Sequence, residues 1–326
     1  MAGLVVAEVA KAPTPVVAVV GPTATGKSDL GIALARALDG EIVNADAMQL
    51  YRGMDIGTAK LTVDERQGVP HPLLDVLDVT EEASVAAYQR DVRACIADVR
   101  SRGRVPVLVG GSGLYVRAAL DELEIPPTDP ATRLALEQQA DDVGAAAMHE
   151  RLRLADPVAA ERILPGNVRR VVRALEVIEL TGRPFSASLP DPHYVVPTVQ
   201  LGLRLPREAL DPRIEHRVER MWNGGLLDEV RQLARRGLRE GRTASRAVGY
   251  AQALAYLDGQ LDADVARADT ARLTRKLARR QESWFGRDRR VHWLQVVARP
   301  VDGPSHDLLA AALDVIGRHC VPQLPE

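Results

Sequence analysis

The chain has 326 residues, enough for one large domain or two modest ones with ample core. Apolar residues make up 46% of it, its mean hydropathy is −0.11, and no stretch approaches the ~18 uninterrupted apolar residues of a membrane span, so a soluble globular protein is expected. Two cysteines, Cys95 and Cys320, are too few for a disulfide framework or a Cys-rich zinc site; with a formal net charge of −2 and no signal-peptide pattern over Met1–Lys11, a cytoplasmic location is expected.

The first predicted element is a buried strand over 15–20, all apolar. It leads into Gly21-Pro22-Thr23-Ala24-Thr25-Gly26-Lys27-Ser28 and an amphipathic helix over 27–38. The eight residues fit G-x-x-x-x-G-K-[ST] without mismatch, in the strand–loop–helix context the motif requires. Gly21 and Gly26 let the backbone turn so that its N–H groups converge on phosphate oxygens, and the helix N-terminus adds partial positive charge. Lys27 is suited to neutralise the distal phosphate, and Ser28 to ligate Mg²⁺. The loop predicts a bound polyphosphate or diphosphate, by motif class a nucleotide such as ATP, without saying which.

Glu41-Ile42-Val43-Asn44 reads as a second strand, 72–76 as a third candidate, 85–102 as a helix, and 105–109 as a buried strand ending in Gly110-Gly111-Ser112-Gly113. Strands alternating with helices are the pattern of a parallel sheet covered by helices. After a linker at 125–130 only helical patterns follow: 131–140, 144–155, 157–163 and 167–180, with Asp156-Pro157 as an N-cap and first-turn proline. A Pro-rich stretch at 184–197 precedes an alternating strand over 198–205, and 211–290 is helical again. The expected organisation is an α/β core over 12–119 and 198–300 with C-terminal helices, an all-helical insertion over 120–197, and a tail over 301–326.

Charge is unevenly spread. Between Leu201 and Arg299 there are 21 Lys and Arg against 13 Asp and Glu, a local +8, leaving −10 for the rest. A basic C-terminal segment on a near-neutral chain suggests a polyanionic partner there. Only four of the 42 basic residues are lysine, which a codon bias explains more simply than bidentate phosphate contacts do.

The segment Asn44–Lys60 begins where the second strand ends, the edge of an open parallel sheet at which ligands bind. Asp46 should therefore face the phosphate loop, either holding Mg²⁺ through water or acting as a general base. No later apolar strand ends in a separate metal carboxylate, so the residues alone leave both roles open.

Together with the loop, six strings resemble the bacterial tRNA dimethylallyltransferases in consistent order: Asn44–Lys60, Val69-Pro70-His71, Val109–Tyr115, Arg173–Val177, Val248-Gly249-Tyr250 and Thr274–Phe285. The resemblance spans Pro15 to about Trp293. It implies a P-loop NTPase-like fold and transfer of a dimethylallyl group from dimethylallyl diphosphate to N6 of adenosine 37, beside the tRNA anticodon. Departures are small: Ala47 stands where the family more often has Ser, Ser112 where it has Thr, and Gly166-Asn167 where Asn-Asp is common, while the zinc finger of eukaryotic relatives is absent.

Under that resemblance Asp46 is the general base, Thr23 lies near the bridging oxygen of the donor, and an arginine after the insertion clamps the diphosphate. Arg213 and Arg217, one helical turn apart, are the candidates, with Arg217 preferred. The target base must leave the anticodon loop to meet the donor. Gln49 is expected to hydrogen-bond it, with Ala47, Met48 and Ser112 nearby. Arg133, Arg169, Arg170 and Arg173 in the insertion, and Arg246, Gly249, Tyr250, Arg275, Lys276, Arg279 and Arg280 in the basic segment, are expected to meet the tRNA anticodon stem-loop. Lys276, Arg279 and Arg280 share a helix face. Tyr115, Trp284, Phe285, His71 and Cys95 read as packing or structural residues, and a monomer with Mg²⁺ as its cofactor is expected. A P-loop small-molecule kinase using ATP, or a non-catalytic nucleotide switch that binds RNA, is the rival; neither accounts for the Asp46–Lys60 string or supplies a base-reading loop for ATP.

Overall fold

The computed structural model describes residues 14–188, 192–297 and 306–320. Its centre is a five-stranded, fully parallel sheet in the order β2-β3-β1-β4-β5, from β1 (Val16–Val20), β2 (Gly40–Asn44), β3 (Val105–Val109), β4 (Thr198–Arg204) and β5 (Val291–Gln295). In-register pairs such as Val17 with Val107 and Val19 with Leu201 place β1 between β3 and β4. All five residues of β1 are fully buried, as a strand covered on both faces requires.

Alternation sends the side chains of β1 to opposite faces. Val17 and Val19 pack with Leu30 and Leu34 of α1 (Lys27–Ala37) and with Leu308 and Ile316. Val16, Ala18 and Val20 pack with Tyr88, Val92 and Ile96 of α2 (Val85–Ser101) and with Val116 and Leu120 of α3 (Gly113–Leu120). The sheet is thus clad on both sides, an α/β fold, and every β1, β2 and β3 C-terminus opens on one edge.

The chain divides into two compact units, Asp121–His193 and the remainder. The smaller contains α4 (Pro130–Ala155), α5 (Pro157–Arg162) and α6 (Val168–Thr181), closed around Leu136, Met148, Leu152, Val171 and Leu175. Gly144 at φ 81° breaks α4 into the two helices expected there. Asp129 and Asp156 cap α4 and α5 through the N–H groups of Thr132 and Ala159, each ahead of a first-turn proline. The larger unit continues with α7 (Arg207–Asn223), α8 (Leu226–Arg235), α9 (Tyr250–Leu257), α10 (Ala263–Phe285) and α11 (His306–Cys320).

Two expectations need correction, and one strand was not anticipated. Residues 72–76 form no strand: the Ile42 and Asn44 N–H groups donate to the carbonyls of Pro70 and Pro72, but the prolines cannot donate back, and Leu73 and Asp75 take left-handed backbone at φ 65° and 57°. The basic stretch after α10 ends in a strand, β5, which pairs only with β4 among the described residues and forms the sheet edge. The segment read as a tail holds α11, which packs Leu308, Ala312, Val315 and Ile316 beside α1; the rest of 301–326 lies outside the described residues.

Candidate active site

The phosphate loop joins β1 to α1 through backbone at φ 128° for Gly21, 63° for Ala24 and 88° for Gly26. A side chain on Gly21 would collide with the backbone of Leu203 in β4, so glycine is required there for contact as well as conformation. Lys27 Nζ donates to the Pro22 carbonyl at 2.6 Å, and the Thr25 hydroxyl donates to the same oxygen at 2.8 Å. Burial pushes the Lys27 pKa down to about 7, with Arg217 adding to the effect and Asp46 opposing it. The loop therefore gathers cationic capacity in a place that water stabilises poorly.

Arg217 comes from α7, where Ile214 and Val218 on the buried side fix the helix. One Nη donates to the Thr23 hydroxyl at 3.3 Å, so this arginine reaches the loop across 194 residues of chain. Burial lowers its pKa too, and the charge of Asp46 works against that fall. Arg213 lies one turn earlier on the same helix.

Asp46 follows β2 and caps a one-turn 3₁₀ helix, Ala47–Leu50. Its Oδ1 accepts from the Met48 N–H at 2.9 Å, and its own N–H donates to Asn44 Oδ1 at 2.9 Å. Asn44 Nδ2 donates back to the Asp46 carbonyl and to that of Leu73, while the Ala47 N–H donates to the Ser112 hydroxyl at 3.2 Å. Ser112 thus ties the end of β3 to the residue after Asp46. Gln49 Nε2 donates to the Thr58 carbonyl at 3.2 Å. Gln49, Asn44, Ser28 and His71 line one small pocket beside the start of α1. His71 Nδ1 lies 2.7 Å from the Val69 carbonyl, which leaves Nε2 as a buried acceptor without a partner among the described residues.

Among the described residues no three His, Cys, Asp or Glu side chains are grouped to hold a metal. Mg²⁺ carried in on phosphate oxygens needs only one or two protein ligands and keeps several waters. The Ser28 hydroxyl and the orphaned His71 nitrogen in the same pocket fit such an ion and its waters.

Residues 49–289 match the family model described as IPP transferase. The chain belongs to the IPP transferase family. It is 65% identical to the tRNA dimethylallyltransferase of Kineococcus radiotolerans, covering 86% of this chain and 90% of that protein, and 59% identical to that of Thermobifida fusca, covering 93% and 95%. The tRNA isopentenylpyrophosphate transferase of Bacillus halodurans superposes with a TM-score of 0.68 at 39% identity, over 94% of this chain and 96% of its own. A eukaryotic dimethylallyltransferase acting on tRNA gives 0.76 at 25% identity, over 95% of this chain and 81% of its own. The prenyl-transferring enzymes of this IPP transferase family share the P-loop NTPase-like fold found here.

The basic residues expected to meet RNA fall into two groups. Arg169, Arg170, Arg246, Lys276, Arg279 and Arg280 are exposed. Arg133 and Arg173 instead converge on Glu176, which is fully buried, at 3.1 and 2.7 Å, and Arg173 also donates to the carbonyls of Pro126 and Pro127. Burial raises the Glu176 pKa, but Arg173, Thr128 and Arg133 together hold it below its usual value. Arg275 pairs with Glu215 at 2.6 Å. Tyr250 lies inside the molecule against Gly57, where its hydroxyl donates to Glu229 and its ring cannot be presented to RNA; Gly249 is buried beside it. That Glu229 carboxylate also accepts the N–H groups of Asp55, Ile56 and Gly57. Tyr115 and Phe285 are buried as expected, whereas Trp284 is 43% exposed, with its ring against Gly113. Cys95 is half-buried, and burial raises its thiol pKa to about 11, which leaves it inert.

One residue escaped the sequence reading. Gln281 on α10 accepts the Thr23 N–H at 2.9 Å and donates to the Gly111 carbonyl at 3.0 Å. The available signal was its position three residues after Ala278 and four before Phe285, a polar residue on the buried face of an amphipathic helix.

Proposed function

We propose that this chain transfers a dimethylallyl group from dimethylallyl diphosphate to N6 of adenosine 37 in the tRNA anticodon loop, giving N6-isopentenyladenosine and diphosphate. The observation that carries the proposal is the convergence of Thr23, Lys27, Arg217 and Asp46 on one sheet edge, seen in the Arg217–Thr23 hydrogen bond and in the mutual electrostatic influence of the other groups. The relatives' names supply the dimethylallyl group and the tRNA.

The exocyclic amine is a weak nucleophile, because its lone pair is delocalised into the ring. It attacks the allylic carbon; the carbon–oxygen bond breaks, and its electron pair leaves on diphosphate. Lys27, Arg217 and the loop N–H groups stabilise that developing charge. Asp46 takes the N6 proton, a role typically contributing ~10²–10⁴-fold. Its Oδ2 makes no hydrogen bond among the described residues and is available for that proton. Ser28 would hold Mg²⁺, which when bound neutralises charge on the departing diphosphate. Gln49, with Nε2 engaged by Thr58, lines the pocket and would offer its carbonyl oxygen as the acceptor for an amine. The exposed Arg169, Arg170, Lys276, Arg279 and Arg280 supply phosphate contacts to the anticodon stem. The proposal includes a monomer working in the cytoplasm.

Thermal melting separates this reading from an ATP-dependent kinase. Dimethylallyl diphosphate with Mg²⁺ should raise the melting temperature more than ATP does at equal concentration; the reverse order would favour the kinase.

A further inference from the structure

Three distant segments meet at one amide. Gln281 lies on the buried face of α10 and is 9% exposed. Its oxygen takes the N–H of Thr23 in the phosphate loop, and its nitrogen gives a hydrogen to the carbonyl of Gly111 in the turn after β3. Residue 111 has no side chain where the Gln281 amide nitrogen sits, so the turn closes directly onto that amide. The Thr23 N–H is thereby withdrawn from the anion-binding set of the loop. What remains of Thr23 for the ligand is its hydroxyl, already the acceptor for Arg217.

We propose that Gln281 is a positioning residue for prenyl transfer: by bridging the Thr23 amide and the Gly111 carbonyl it sets the orientation of Thr23, and through Thr23 that of Arg217, against the leaving diphosphate. The proposal rests on the reading of Thr23 and Arg217 as diphosphate contacts. Both ends of the bridge need an amide pattern, one acceptor and one donor at the same carbon. A methionine keeps the length and packing but supplies neither. A glutamate supplies the acceptor when ionised, and both functions only when protonated. Misplacing a reacting group by about 1 Å can cost on the order of 10²-fold in rate, so the loss should fall on turnover.

The test uses the full-length enzyme, dimethylallyl diphosphate, Mg²⁺ and tRNA, with kcat and both KM values measured for wild type, Gln281→Met, Gln281→Glu and Thr23→Ala. Gln281→Met should lower kcat about 10- to 100-fold, raise the donor KM, and leave the tRNA KM within about twofold. For Gln281→Glu, the ratio of its kcat to that of wild type should rise as pH falls from about 8 to about 5, toward the ordinary carboxyl range, because protonating the carboxyl restores the donor toward Gly111. A residue that only fills space would show no such pH-dependent ratio. If Gln281→Met turned over like wild type, or lost tRNA affinity as much as kcat, or if the Gln281→Glu ratio were flat with pH, the proposal would be overturned while an impaired Thr23→Ala left the donor-site reading standing. Wild-type kinetics in Thr23→Ala would overturn that reading, and the proposal with it.

Discussion

Lys27 enters the ligand-free loop with its pKa pushed down to about 7, chiefly by burial, while in an unfolded chain it stands near 10.5. Diphosphate beside it favours the charged form and must raise that pKa again. Donor binding at about pH 8, where phosphate second ionisations near ~6 are complete, should therefore take up close to one proton, read by calorimetry in buffers of different ionisation enthalpy. Absence of uptake would place Lys27 away from the phosphates. The same shift acts on stability with a definite sign. Between the folded value near 7 and the unfolded value near 10.5 the unfolded chain binds the extra proton, so Lys27 makes the ligand-free protein gain stability as pH rises through that window. Asp46 is tested separately. Asp46→Ala should reduce kcat by ~10² or more, with tRNA affinity within about threefold of wild type by filter binding. Near-normal turnover would remove it as the base; collapse of donor binding would make it a metal carboxylate.

The β3–α3 turn and helix α10 carry the next test. A side chain on Gly110 would strike the carbonyl of Ala45, the residue before Asp46, and backbone there cannot give way as a flexible side chain does. Gly110→Ala should cost roughly 1–3 kcal/mol by overpacking and lower kcat together with the melting temperature, because Ala45 is already held by its N–H bond to the Val109 carbonyl at 2.8 Å. Unchanged melting would show that the turn is looser than described. On α10 the exposed Arg279 and Arg280 should grip phosphates, so changing both to Glu should weaken tRNA binding and flatten its log–log salt dependence, which carries about −0.7 to −0.9 per phosphate contact. Parallel lines would assign the RNA to another surface. Elements built by local rules were legible in advance: the all-apolar strand before the loop, the capped helices of the insertion, the glycines of the phosphate loop. Gln281 was not, since its partner Thr23 is 258 residues away and only folding shows that a helix face meets a loop. Tyr250 misled for a related reason. Its ring fills the space left by Gly57, a contact no local pattern records.

At the scale of the molecule, the helical insertion leaves and returns side by side: the Val195 N–H donates to the Leu120 carbonyl at 2.9 Å and the Glu122 N–H to the His193 carbonyl at 2.8 Å. Deleting 123–192 and joining the ends with a short glycine link should therefore leave the phosphate loop folded and able to bind donor, while RNA modification is lost. Loss of donor binding in a deletion variant that still melts cooperatively would show that the insertion builds part of the donor site. The division into core and insertion was readable because a run of helices interrupts an alternating pattern; β5 and α11 were not, because a five-residue edge strand without alternation and a helix beyond a Pro- and Gly-containing stretch carry weak signals. No helix among the described residues is long and apolar enough to cross a membrane. In the proposed reaction Asp46 and the phosphate loop jointly move a dimethylallyl group onto one adenosine. Unmodified tRNA incubated with the enzyme, Mg²⁺ and dimethylallyl diphosphate should yield N6-isopentenyladenosine by mass spectrometry of its nucleosides, mapped to position 37 and abolished by Asp46→Ala; tRNA left unmodified by wild type, or carrying the group equally well with Asp46→Ala, would contradict it.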